Sequence, residues 1–77
     1  MNIRVELFAY LSRYSPTGEE KFSMEIEPGT SLEGLLAHLG IPPEVEKAVL
    51  VNGRRAGMSA RLQEGDEVFV FPPAAGG

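Results

Sequence analysis

The sequence predicts an α+β fold: one short helix packed on one face of a mixed β-sheet. Three patterns predict it. Apolar and polar residues alternate in separate stretches, the period of strands with one buried face. Leucines recur at helical spacing in a single stretch. Proline-glycine and asparagine-glycine pairs punctuate the chain between these stretches.

In chain order, Ile3, Val5 and Leu7 alternate with Asn2, Arg4, Glu6 and Phe8, predicting a first strand over residues 2–8. Residues 9–21 contain the turn-forming cluster Ser15-Pro16-Thr17-Gly18 and are expected to be a long hairpin loop. Phe22, Met24 and Ile26 alternate with Ser23, Glu25 and Glu27, a second strand that Pro28-Gly29 stops. Thr30-Ser31-Leu32-Glu33 has the spacing of a capping box, with the Thr30 hydroxyl accepting from the Glu33 amide. Leu32, Leu35, Leu36 and Leu39 then form one apolar stripe, predicting a helix over 31–39. Gly40 can end it in a left-handed conformation, and Pro42-Pro43 prevents its continuation. Ala48-Val49-Leu50-Val51 is a third strand, Asn52-Gly53 a tight turn, and Arg54-Arg55-Ala56 a short returning strand. Glu64-Gly65-Asp66 turns the chain into a last strand, where Val68 and Val70 alternate with Glu67, Phe69 and Phe71. Pro72-Pro73 ends the pairing, because proline has no amide hydrogen to donate.

A chain of 77 residues, 43% hydrophobic and 23% charged, makes one small globular domain. Such a domain buries only about 60% of its unfolded surface. That thin core leaves little room for a deep catalytic cleft, so a binding module, carrier or subunit is expected rather than an enzyme. Absence of cysteine excludes disulfides, thiolate metal sites and a cysteine nucleophile. The one histidine, His38, excludes a histidine-rich metal site. No apolar run reaches the ~20 residues that span a bilayer. Residues 1–6 lack the apolar stretch of a signal peptide, so a cytoplasmic location is expected. The net charge of -4, with Arg54-Arg55 as the only adjacent basic pair, argues against nucleic acid.

The order of elements, with a glycine pair at the end, resembles the β-grasp fold of ubiquitin. Phe8-Ala9, the Thr30–Leu39 helix, Val51-Asn52-Gly53, Leu62–Val68 and Phe71-Pro72-Pro73-Ala74-Ala75-Gly76-Gly77 together resemble a narrower group. These are the small ubiquitin-like sulfur carriers: the small subunit of molybdopterin synthase and the thiamine-biosynthesis carrier. Phe-Pro-Pro favours the molybdopterin branch. Tyr10–Tyr14 departs from that branch by lacking its Arg-Glu pair, and Ala74-Ala75 is a plain version of the residues before the glycines. The resemblance implies a β-grasp domain over 1–71 and a flexible tail over 72–77.

It also implies a chemistry. A terminal carboxylate, with a reference pKa of about 3.5, is ionised at pH 7 and a poor electrophile. Adenylation at Gly77 by a ubiquitin-activating-type enzyme, using ATP and Mg, supplies a leaving group. A persulfide donor or sulfide then yields a thiocarboxylate, which donates sulfur within a larger synthase subunit. On this reading Gly77 is the reacting site, Gly76 its neighbour, and the chain itself binds no cofactor or metal. Glycine lets the tail enter a narrow channel and leaves the carbonyl open to attack. From Pro72 to Gly77 the tail reaches at most about 20 Å.

Strand parity defines a second candidate feature. With Ile3, Val5, Leu7, Val49, Val51, Val68 and Val70 inward, Phe8, Leu50, Phe69 and Phe71 point outward. Beside Pro72, Pro73, Ala74 and Ala75 they form a candidate partner-binding surface. The competing expectation is that the 9–21 loop buries one or more of them.

Other groups read as structural. His38 lies off the leucine stripe and is expected to be an exposed helix residue. Glu64, Asp66 and Glu67 read as a charged turn rather than a cation site. Arg54 and Arg55 read as solvated charge. Ser12, Ser15, Ser23, Ser31 and Ser59 have no base arrangement to activate a nucleophile. Three functions remain in view: a sulfur carrier, a protein modifier forming isopeptide bonds to lysines, and an interaction domain whose glycines are incidental. Within the carrier class, the acceptor can be a pterin precursor, thiamine, an amino acid or a tungsten-type cofactor.

Overall fold

The computed structural model describes residues 1–73. The elements are β1 (Asn2–Leu7), a 3-10 helix (Ala9–Tyr14), β2 (Lys21–Glu25) and α1 (Leu32–His38), then β3 (Ala48–Val51), β4 (Arg54–Arg55) and β5 (Glu67–Phe71). They build a five-stranded sheet in the order β2-β1-β5-β3-β4. β1 runs antiparallel to β2 and parallel to β5, and β5 runs antiparallel to β3. This register aligns the alternating apolar residues across strands. Val5 stands between Phe22 and Val68, and Val70 between Leu7 and Val49. Every one of those residues is buried.

Leu32, Leu35 and Leu36 of α1 complete the second layer, and Ile41 and Leu62 close its ends. The core contains no buried charged or polar residue among the described residues. Each fully buried aliphatic side chain contributes about 1.5–3 kcal/mol relative to exposure, which is how so short a helix is held. Leu39, the fourth leucine of the stripe, is only half-buried because it caps the helix.

The helix start differs from the sequence expectation. Ser31, not Thr30, is the cap: its hydroxyl accepts from the Gly34 amide at 3.1 Å. The Thr30 hydroxyl instead donates to the Glu27 carbonyl, closing the preceding turn. With Gly34 at the third helical position, no side chain reaches back, so the reciprocal box cannot form. The next amides are used by a distant loop. Leu32 N–H donates to the Ala60 carbonyl and Glu33 N–H to that of Met58. At the other end, Gly40 (φ 83) donates to Ala37 and Ile41 to Leu36, both at 3.0 Å, the paired bonds of a Schellman motif.

Residues 9–14 also differ from expectation: they form a 3-10 helix rather than an open loop, and its Leu11 is fully buried. Ala56 lies outside β4, which pairs only Arg54 and Arg55 with Val51 and Leu50. Asn52 and Gly53 have φ of 53 and 81, the two positive values that a two-residue hairpin requires. Ala74, Ala75, Gly76 and Gly77 lie outside the described residues.

Candidate partner-docking site

The outer face of the sheet, opposite α1, is built by the same alternation that fills the core. Because Val68 and Val70 point inward, Phe69 and Phe71 point outward. Phe69 is in register with Glu6 on one side and Leu50 on the other; Phe71 is opposite Ala48. Phe8 follows β1, and its N–H donates to the Val70 carbonyl at 2.9 Å, which holds it beside the end of β5. Its ring meets Phe69 edge-on at 5.9 Å and Phe71 at 5.5 Å. Such edge-to-face pairs contribute about 0.5–1.5 kcal/mol each beyond burial, so the rings support one another.

Phe8, Leu50, Phe69 and Phe71 are all half-buried, and so none is sealed under a loop. The buried member of the 9–21 segment is Leu11, which enters the main core. The four side chains therefore form one apolar surface at the end of the sheet where β5 leaves it. Pro72 there is half-buried and Pro73 exposed. Gly76 and Gly77, the expected reacting end, and Ala74 and Ala75 fall outside the described residues.

The opposite end of the same face is polar and internally bonded. Arg4 and Glu67, neighbours across β1 and β5, form an ion pair at 3.1 Å. Both are exposed, so the pair contributes at most about 1 kcal/mol. Asp66 accepts from the Gln63 amide at 2.8 Å and from the Asn52 side chain at 2.9 Å. The Asn52 side chain in turn accepts from the Glu67 amide, at 3.0 Å. Glu64 accepts from the Asn2 amide. These carboxylates have separate structural partners, and no metal-binding cluster occurs among the described residues. His38 is exposed in the last turn of α1, and Arg54 and Arg55 are exposed on β4. Among the described residues no helix is long and apolar enough to cross a membrane.

One feature of the surface escaped sequence reasoning. A groove of about 730 Å³ lies beside α1, lined by residues that include Leu36, Ile41, Val45, Met58 and Pro73. Its only sequence signal is Met58, an apolar residue in an otherwise small and polar loop.

A mixed sheet in this order, with one principal helix linking β2 to β3, is the ubiquitin-like β-grasp fold. The ThiS family model matches residues 5–77, and the chain belongs to that family. The chain is similar to SAMP1 from Haloferax volcanii, at 25% identity over 100% of both chains, with a TM-score of 0.76. It is similar in fold to a chain of the subunit 1 and 2 complex of molybdopterin-converting factor from Helicobacter pylori 26695 (24% identity, 100% of both chains, TM-score 0.66). A ubiquitin from Caldiarchaeum subterraneum has the same fold at 16% identity, over 100% of this chain and 98% of that one, with a TM-score of 0.60. Among curated proteins no match is found.

Proposed function

We propose that the chain is a sulfur carrier and that its aromatic face docks the partners that act on Gly77. The family match that runs to Gly77 is the observation that carries this reading. The aromatic surface at the exit of β5 supports it, because a partner seated there lies beside the tail it must handle. The reaction begins when the Gly77 carboxylate attacks the α-phosphate of ATP on a ubiquitin-activating-type enzyme, expelling pyrophosphate. The terminal sulfur of a persulfide then attacks the carbonyl carbon, the bond to AMP breaks, and AMP leaves. A second thiol cleaves the sulfur–sulfur bond, becoming disulfide-linked to the donor, and releases the thiocarboxylate. The chain contributes the carbonyl and the docking face; ATP and Mg belong to the activating partner. It is not an enzyme by itself.

The acceptor we assign is a pterin precursor in molybdopterin synthesis, with this chain as small subunit of the synthase, on the strength of Phe71-Pro72-Pro73. Intact mass spectrometry of the protein from its host tests the carrier reading. Replacement of one oxygen by sulfur at Gly77 is expected; an unmodified terminus under sulfur-replete conditions, together with inertness toward activating enzyme and ATP, overturns it. Gly76→Ala or Gly77→Ala should slow activation by at least about tenfold, because the carbonyl is displaced from its attack geometry. Folding should be unaffected. The likeness to SAMP1 favours one second reading, a protein modifier, in which a lysine amine rather than sulfur attacks the same adenylate. Isopeptide-linked adducts of higher mass in host extracts would favour it.

A further inference from the structure

The aromatic face does not account for the molecule's other apolar surface, the groove beside α1. Backbone hydrogen bonds fix its walls. The Schellman bonds of Gly40 and Ile41 turn the chain off the helix, and Val45 N–H donates to the Pro42 carbonyl at 3.1 Å. Met58 is held by the bond from Glu33 N–H to its carbonyl, while its side chain remains 40% exposed. At about 730 Å³ the groove falls within the usual range of pockets that take an organic group.

Its charge says what group. Glu33 and Glu46 stand in the lining, and neither has an ion-pair partner among the described residues. The one cation of the lining, Lys47, turns its ammonium to the Val45 carbonyl at 2.7 Å. The ammonium keeps its charge there, so two carboxylates stand against one cation and the apolar groove has a margin that is acidic by a single net charge. That margin disfavours a carboxylate-ended segment such as the chain's own terminus. It also disfavours a second copy paired groove to groove, which would bring the same carboxylates together.

We propose that this groove is a docking site for a partner protein segment bearing a large apolar side chain flanked by arginine or lysine. Because Pro73 lines it, the segment seats at the root of the tail while the aromatic face is on the other side of the sheet. A partner can therefore occupy the groove without displacing one from the aromatic face. The proposal is independent of what becomes of Gly77, so its failure leaves the carrier reading intact.

The test is amide NMR of the full labelled chain, titrated with the peptide acetyl-Arg-Leu-Leu-Arg amide. The matched control is acetyl-Glu-Leu-Leu-Glu amide. Shifts are expected at Ala37, Val45 and Met58, with the basic peptide bound about fivefold more tightly than the acidic one. Glu33→Gln with Glu46→Gln should erase that preference, and Met58→Ala, at an exposed side chain, should weaken both peptides. Equal binding of the two peptides, shifts confined to the Phe8 and Phe69 face, or no shift at about 1 mM peptide overturns the proposal. Concentration-dependent groove shifts without peptide would assign the groove to a second copy. Tighter peptide binding after truncation behind Pro73 would assign it to the chain's own terminus. Either result also overturns the proposal.

Discussion

The two ends of the outer sheet face are made by the same strands and differ in what they leave unfinished. At the polar end, Arg4, Glu67, Asn52 and Asp66 satisfy one another, and little is left for another molecule. At the other end, Phe8 packs edge to face on both Phe69 and Phe71, yet all three stay partly open to water. Only a few residues along β5 separate Glu67 from Phe71. One strand can thus pin the fold at its start and leave an open apolar surface at its end, because each pair of residues makes its own cross-strand contacts.

Substitutions at the two ends should separate these roles. The largest effect is expected at the aromatic end. Phe69→Ser should weaken binding to the activating enzyme or the larger subunit by about 30-fold, the loss typical of an interface anchor. Calorimetry with either partner reads this, and binding within twofold of the parent would remove Phe69 from the docking face. Asn52→Ala should do the reverse. It loses the bonds to Asp66 and Glu67 and puts an alanine at positive φ, lowering stability by about 2–3 kcal/mol in urea unfolding. Partner affinity of the folded fraction should be unchanged. The smallest effect is that of Arg4→Ala, about 0.2–1 kcal/mol at low salt and none at about 1 M salt. A loss that persists in high salt would mean that Arg4 acts through packing rather than charge.

Most of the sheet was legible because its signals are local. Ile3, Val5 and Leu7 fix the inward face of β1, and parity then assigns Phe8, Leu50, Phe69 and Phe71 to the outer face. Asn52-Gly53 specifies its own turn. The illegible parts depend on distant or degenerate choices. Leu11 has no periodic companion, so nothing in 9–14 announces a helix with a buried side chain. Thr30 and Ser31 are both good caps, and the choice was made by the Glu27 carbonyl and by the loop that supplies Ala60 and Met58. The groove is assembled from α1, the segment before β3, Met58 and Pro73, so no window of sequence contains it. The glycine pair is legible as sequence, but its geometry lies beyond the described residues.

The parallel pairing of β1 with β5 has a mechanical consequence. The tail continues from a strand in the middle of the sheet, with β1 on one side and β3 on the other. A partner that draws on Pro72 along the strand axis loads both ladders in shear, so their hydrogen bonds resist together rather than parting one by one. An edge strand would peel. The domain can be tugged at Pro72 and keep its shape.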